Sequence, residues 1–433
     1  MKNVSLRKLV RTGTFLDLYM QFMSPQETAV EYDFWTGMWL MSLALGRTVI
    51  VPRPRAPVHM NQMMFLIAES GLTRKSTAVS NATTIGRLFN ERIEESSRFD
   101  FITSRATAEA LEQTLQIRSA EFGCANVVIS VSEAIRLLGR ERYLASMPGM
   151  LTDLYDSPQH HSSPGTLYRG SISIRNVYMP VLSASTPSWL ARSINPDVIE
   201  GGFTSRCLFI YAEKPKRRVA WPGQAKDTGT VKPIVDALVR IHEQRSMLPV
   251  AVGFEAGMCG VRLEKAAMEA FEAWYHARRF WRDPYRSTFQ AREDSHILRT
   301  AALLSINDNR WVISKQDINT AVQLIEEIRE SSAALFEGGV AGDKLSIGID
   351  RIRALLLAAG KGGLQHSPLY YKVRTHLSRE EFSTVIDIMH QLEMVQKFEQ
   401  PIGKRGPAPM IYRATTKLAG SSVYESVIKE LQP

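Results

Sequence analysis

The residues best suited to chemistry are Lys75 and Ser76, in the stretch Met63 to Thr77, MMFLIAESGLTRKST. Binding a triphosphate takes backbone N–H groups converging on its oxygens, an ammonium for the β and γ phosphates, and a hydroxyl for Mg²⁺. Lys75 and Ser76 stand in the order that the last two roles require. Ser70, Gly71, Leu72, Thr73, Arg74 and Thr77 are the residues that would wrap the phosphates around them. The stretch departs from the pattern G-x-x-x-x-G-K-[ST]: its two glycine positions hold Glu69 and Arg74, and only Gly71 lies within the loop. On this pattern alone, a phosphate loop and a buried strand running into a turn both remain open.

Hydrolysis would further need a group that orients or deprotonates water, and positive charge on the phosphoryl oxygens. Glu133 ends the apolar run VVISVSE, where a water-activating carboxylate would stand; a first-turn helix acid is the alternative. The preceding position, suited to an acid in the magnesium shell, holds Ser132, which can hold a metal-bound water but brings no charge. Ser185 ends another apolar run and could touch the γ-phosphate or the water. Arg206, after Gly201-Gly202-Phe203, could act as a finger from a neighbouring copy or be an ordinary strand-edge arginine. Arg292 and Arg299 are seven apart and share a helix face; either could reach nucleotide, with salt bridges to Glu293 or Asp294 as the rival reading. Arg169 and Arg175, in a hairpin-like segment, could meet a DNA backbone or serve as surface arginines. His160-His161 reads as solvated loop.

These residues must be positioned by a large soluble fold. At 433 residues the chain is long enough for two or three domains, and its formal charge of +9 favours polyanionic partners. Cys124, Cys207 and Cys259 form no metal-ligand spacing and read as buried small hydrophobes in a reducing compartment. The basic N-terminus is not followed by a signal-type apolar run, and the longest apolar stretch, Phe34 to Gly46, is too short to span a bilayer. The expectation is a cytoplasmic protein with no membrane contact.

Along the chain, residues 13–46 read as two helices parted at Ser24-Pro25. Apolar runs then alternate with helix-compatible segments: Met63 to Ala68, Ser97 to Ser104, Ala125 to Ser132, Tyr178 to Ser185 and Cys207 to Tyr211. That alternation predicts an α/β fold with a parallel sheet covered on both faces. Lys214 to Pro233 reads as a surface linker. Residues 255–337 read as mostly helical; then come three helices, the last opened by the capping box Ser378-Arg379-Glu380-Glu381, and two strands around Gly403-Lys404-Arg405-Gly406-Pro407. This last part predicts a winged helix-turn-helix, with Lys404 and Arg405 as phosphate contacts. Residues 347–433 carry 12 Lys and Arg against 8 Asp and Glu. The expected division is 1–55, an N-terminal helical segment; 56–225, an ATPase core; 226–340, a helical lid; and 347–433, the winged helix.

Taken together, Phe34-Trp35, AESGLTRKST, VVISVSEAIRLLG, LTDLYDSP, LSASTPSWL, GGFTSR, LEKAAMEAFEAWY and AREDSHILRTAALL resemble a family of helicase-like proteins of phages, prophages and mobile genetic elements. That family is related to the AAA+ replicative helicases and similar to minichromosome maintenance proteins. The resemblance implies an AAA+ P-loop core with strand order 5-1-4-3-2, a helical lid, and a hexameric ring with ATP between subunits. It implies that Lys75 and Ser76 bind phosphate and Mg²⁺, that Glu133 activates water, and that Ser185 is the sensor on the fourth strand. Arg206 would be the trans finger and Arg292 the lid sensor. The implied activity is an ATP-driven motor on single-stranded or forked DNA in replication. The alternative is a nucleotide-dependent DNA-binding switch, an initiator, loader or defence component with weak hydrolysis or none. No second catalytic motif is evident in the chain, so a primase or other replication protein would have to supply one.

Overall fold

The computed structural model describes residues 6–54, 56–71, 73–138, 146–163, 170–194, 201–212, 218–221, 228–281, 283–340, 344–374, 377–399 and 410–419. The chain divides into two compact units, Met1–Ala334 and Leu335–Pro433.

After a single helical turn at Leu6–Leu9, the first unit has α1 (Phe15–Met23) and α2 (Val30–Leu45), separated by a 3₁₀ turn at Ser24–Gln26. Every residue of α2 from Tyr32 to Leu45 is buried. A helix apolar on all sides has to sit inside a fold rather than on it. At Gly37 a Cβ would fall 2.7 Å from Leu16 Cδ2, so the absence of a side chain lets α1 close onto α2. The only charge within the buried span, Asp33, accepts a hydrogen bond from the Thr28 hydroxyl. These N-terminal helices are thus part of the first unit's core.

The chain continues through β1 (Met63–Ile67), α3 (Lys75–Asn90), β2 (Asp100–Ile102), α4 (Ala108–Phe122), β3 (Ala125–Val131), β4 (Val181–Ser185) and β5 (Cys207–Tyr211). The five strands pair in parallel in the spatial order 5-1-4-3-2, with Met63 beside both Cys207 and Val181, Ile129 beside Val181, and Asp100 beside Val127. All residues of β1, β3 and β4 are buried. Helices on both faces bury both faces of the sheet, which is why these strands read as continuous apolar runs without alternation.

The turn sequence at His160-His161 proves to be a strand. His160–Ser163 pairs antiparallel with Ile172–Arg175, His160 opposite Arg175, and His161 Nε2 lies 3.9 Å from Glu112. The hairpin therefore begins earlier than its alternating arm suggested. The segment read as a linker also changes: α5 (Thr228–Gln244) starts inside it and carries Pro233. It packs on α1, α2 and α3, and its apolar stripe was masked by the Pro, Lys and Arg before it. Val49–Val51, between the N-terminal helices and β1, joins a small sheet with Val58–His59 and Cys259–Gly260. Of the cysteines, only Cys207, beside Met63 in the central sheet, is buried; Cys124, before β3, and Cys259, in the small sheet, are partly exposed. The unit closes with α6 (Lys265–Ala277), α7 (Pro284–Asn307) and α8 (Lys315–Val340), the last crossing into the second unit.

The second unit contains α9 (Lys344–Ala359), β6 (Leu364–Gln365), α10 (His366–Val373), α11 (Arg379–Gln391), β7 (Val395–Glu399) and β8 (Met410–Ala414). β8 pairs antiparallel with both β6 and β7. The capping box is formed: Glu381 N donates to Ser378 Oγ (3.2 Å), and Ser378 N donates to Glu381 Oε2 (2.7 Å). Ile352, Leu369, Phe382, Val385 and Met389 fill the unit's own core. Its β7–β8 connection, with Lys404 and Arg405, lies outside the described residues, as do Leu72 and Arg169.

Candidate functional site

β1 ends at Ile67, and the chain turns through residues 68–74 into α3, whose first residue is Lys75. Two residues of the turn take the left-handed backbone conformation, Gly71 (φ 79°) and Arg74 (φ 52°). Position 74 is where the phosphate-loop pattern expects glycine, and the geometry shows why: the turn needs positive φ there. Arg74 adopts it at a cost of order 1 kcal/mol. Its guanidinium is held by Glu27 at 3.1 Å, so a residue before α2 supports the strained position.

The loop is braced from beneath by α2. Tyr32 Oη donates to Ile67 O (2.7 Å) and accepts from Thr73 Oγ1 (3.4 Å). Burial pushes the Tyr32 pKa upward, which keeps the hydroxyl protonated and donating. At the mouth of α3 the first helical bond runs from Ala78 N to Arg74 O (3.1 Å). The N–H groups of Lys75, Ser76 and Thr77 are therefore the orphan donors of a helix N-terminus, a ready anion site. Lys75 Nζ donates to Ala68 O (2.7 Å) and Glu69 O (3.2 Å), and burial lowers its pKa against the opposing pull of Glu69.

The loop faces a cavity of about 410 Å³ at the carboxyl edge of the sheet. Ser70, Gly71, Arg74, Lys75, Ser76 and Thr77 line one side; Ser132, Glu133, Ser185 and Trp189 line the other. Sheet order produces this: β4 lies between β1 and β3, so its last residue, Ser185, faces the loop together with the residues after β3. Ala134 N donates to Ala184 O (2.7 Å), which fixes the Glu133 segment against β4. The Glu133 side chain is 62% exposed and 3.9 Å from Arg136, so its carboxylate is available to the cavity. Ser185 is buried, and its Oγ donates to Thr186 O (3.3 Å). The exposed Ser76 hydroxyl and the half-buried Ser132 fit a hydrated Mg²⁺ ion. The donor set is poorer in charge than a pair of carboxylates would make it.

Arg206, Arg292 and Arg299 do not line this cavity. Arg206 precedes Cys207, which pairs with Met63 at the start of β1, so it stands at the opposite edge of the sheet from Lys75. Its Nη1 donates to Gly202 O (3.0 Å), and its Nη2 is 3.5 Å from Asp156 Oδ2. Arg292 grips the same carboxylate in bidentate fashion, both contacts at 2.8 Å. One acidic residue, Asp156, thus gathers both arginines. The rival partners named from sequence go elsewhere: Glu293 to Arg329, and Asp294 to Arg53 (2.9 Å).

Arg299 does not fit a nucleotide sensor. It is 3% exposed, donates through Nε to His59 O (2.7 Å) and through Nη1 to Tyr155 Oη (2.6 Å), and is committed to the core. Sharing a helix face with Arg292 did not give it the same environment, because the C-terminal half of α7 is buried throughout. Arg175 ends the described arm of the hairpin, its side chain exposed and its N–H bonded to Ser119 Oγ (2.8 Å). Tyr32 and Asp156 were missed from sequence. Asp156 lies in the quoted segment LTDLYDSP, but nothing in spacing connects it with arginines 50 and 136 residues away.

Among the described residues no helix is long and apolar enough to cross a membrane, and no cluster of three or more His, Cys, Asp or Glu could hold a metal ion. Comparison with family models and with curated proteins finds no match. Among solved structures, the chain is similar to the crystal structure of a full-length MCM homolog from Methanopyrus kandleri, at 13% identity and a TM-score of 0.40. The match covers 75% of this chain and 60% of that one.

Proposed function

We propose that this chain is an AAA+ ATP hydrolase that works as a ring-forming DNA helicase or translocase in the replication of a phage or other mobile element. The observation that carries the reading is the convergence of the β1–α3 turn, Glu133 and Ser185 on one cavity at the carboxyl edge of a 5-1-4-3-2 sheet. In it, Lys75 and the first N–H groups of α3 hold the phosphates, the Ser76 hydroxyl and Ser132 serve Mg²⁺, and Glu133 takes the proton of the attacking water. Bound Mg²⁺ supplies positive charge at the β and γ oxygens. Ser185 orients the water or the γ-phosphate.

A ring is supported by where the arginines lie. β1 spans five residues, so Arg206 is roughly 15 Å of strand away from its own cavity. Arg206 and Arg292, gathered on Asp156, then serve the cavity of a neighbouring copy, in a ring read as a hexamer. DNA contacts are assigned to Arg169 and Arg175 and to Lys404 and Arg405 in the sequence between β7 and β8, read as the wing of a winged helix. The exposed residues of α11 include Glu380, Glu381 and Asp387 against Arg379, which favours the wing over this helix as the phosphate contact.

Ser132 in place of an acid, and the tie of Lys75 to two loop carbonyls, favour a second reading, a nucleotide-dependent DNA-binding switch with slow hydrolysis. Steady-state ATP hydrolysis by wild type, Lys75→Ala, Glu133→Gln and Arg206→Ala, with and without single-stranded DNA and with particle mass followed, separates the two. DNA-stimulated turnover abolished by each substitution in a ring-sized particle supports the motor. Rings that form with ATP but do not turn over point to the switch, and normal turnover by Arg206→Ala removes the shared site.

A further inference from the structure

The turn between α6 and α7 displays an aromatic ring that the fold does not use. Phe280 is 99% exposed, more than any other large hydrophobic side chain among the described residues. Burying a phenylalanine is favourable, so the folded unit forgoes that gain here. The turn is nevertheless well held. Arg278 donates through Nε to Tyr275 O (3.2 Å) and through Nη1 to Gln290 O (3.4 Å), and Gln290 Nε2 donates to Arg279 O (2.6 Å). On the other side of Phe280, the Trp281 ring centroid lies 5.5 Å from the Arg286 guanidinium and 5.2 Å from that of Arg329. Both flanks of Phe280 are thus fastened to α7 and α8, and the ring is presented rather than frayed.

Its surroundings are cationic. From Trp274 to Arg286 the sequence has four arginines and one aspartate; Arg286 is paired with Asp283 and Glu330, and Arg279, the residue before Phe280, is exposed. An apolar protein surface would call for a contiguous apolar patch. An exposed ring next to an exposed arginine instead matches a nucleobase with its phosphates, a contact indifferent to base identity.

We propose that Phe280 is a stacking platform for single-stranded nucleic acid, with Arg279 on an adjacent phosphate. This platform, Phe280 with Arg279, is not among the residues assigned to DNA contact above. It rests on the nucleic-acid part of the reading above and not on hydrolysis.

Fluorescence anisotropy of dye-labelled oligothymidylate, oligouridylate and duplex DNA, titrated with the full chain over a salt series, tests it. Phe280→Ala should weaken single-strand binding about tenfold with an unchanged circular dichroism spectrum, and leave duplex binding intact. Phe280→Trp should restore affinity, and Arg279→Ala should reduce the salt slope by about 0.7. Loss on oligothymidylate alone assigns DNA; loss on both oligonucleotides assigns either nucleic acid. Unchanged affinity of Phe280→Ala for both single strands overturns the proposal. So does a change in particle mass with affinity per subunit unchanged, since the ring would then cover a subunit contact. Wild type that hydrolyses ATP yet binds no oligonucleotide overturns the platform alone. Wild type that binds through Phe280 but never hydrolyses overturns only the motor.

Discussion

Replacing Arg299 with alanine separates a structural arginine from a catalytic one. Arg299 is 3% exposed; its guanidinium is bonded to His59 O and Tyr155 Oη, neither a carboxylate, and lies 5.2 Å from the Tyr155 ring. Truncation leaves a buried carbonyl and a buried hydroxyl without a charged partner, at roughly 1.5–3 kcal/mol for each bond. Relief of a buried cation's desolvation returns part of this, and the lost packing of the long side chain adds to it. The net expectation is about 3 kcal/mol, against roughly 5–15 kcal/mol for a whole domain. At about 2 °C per kcal/mol for a unit this large, Arg299→Ala should melt about 6 °C below wild type by circular dichroism at neutral pH. Arg292→Ala is the control: its partner Asp156 is 50% exposed and Arg292 itself 30%, so the pair is worth about 0–1 kcal/mol. Arg292→Ala should melt with wild type and lose ATP turnover in the assembled particle. Wild-type melting of Arg299→Ala combined with lost turnover would refute the structural assignment and restore Arg299 as a sensor.

Two further predictions concern the core beneath the site. Burial, and then Arg47, hold the His59 pKa down at about 4; burial, and then Arg299, hold that of His296 at about 3. Both histidines are neutral in the fold but protonate near pH 6.5 when unfolded, so the native state binds fewer protons below that pH. Stability is full above about pH 6.5 and falls on acidification toward pH 4 by about 1.4 kcal/mol per pH unit per histidine; urea midpoints that stay level between about pH 7 and 5 would contradict this. Tyr32→Phe removes the donor to Ile67 O, which keeps Ala212 N (3.1 Å), and the acceptor for Thr73. The cost should be about 1 kcal/mol in stability, with weaker binding of a fluorescent ATP analogue; unchanged affinity would show that α2 does not brace the loop.

The sequence by itself determined the strands of the central sheet and the main residues at the cavity. Uninterrupted apolar runs mark strands buried on both faces; Ser185 ends such a strand, and Lys75, Ser76 and Glu133 follow one within nine residues, so local order was enough to place them. The capping box of α11 was equally local. Tertiary structure decided what depends on distant partners. It set Arg74 in a glycine conformation held by Glu27, put Tyr32 under the loop, gathered Arg206 and Arg292 on Asp156, and consigned Arg299 to the core. It also turned a His-rich turn into a strand and drew the last residues of the basic segment, from Thr228, into α5. The physical reason is the same in each case: periodicity records which face of a segment is apolar, whereas a side chain's charge partner is fixed by which elements pack together.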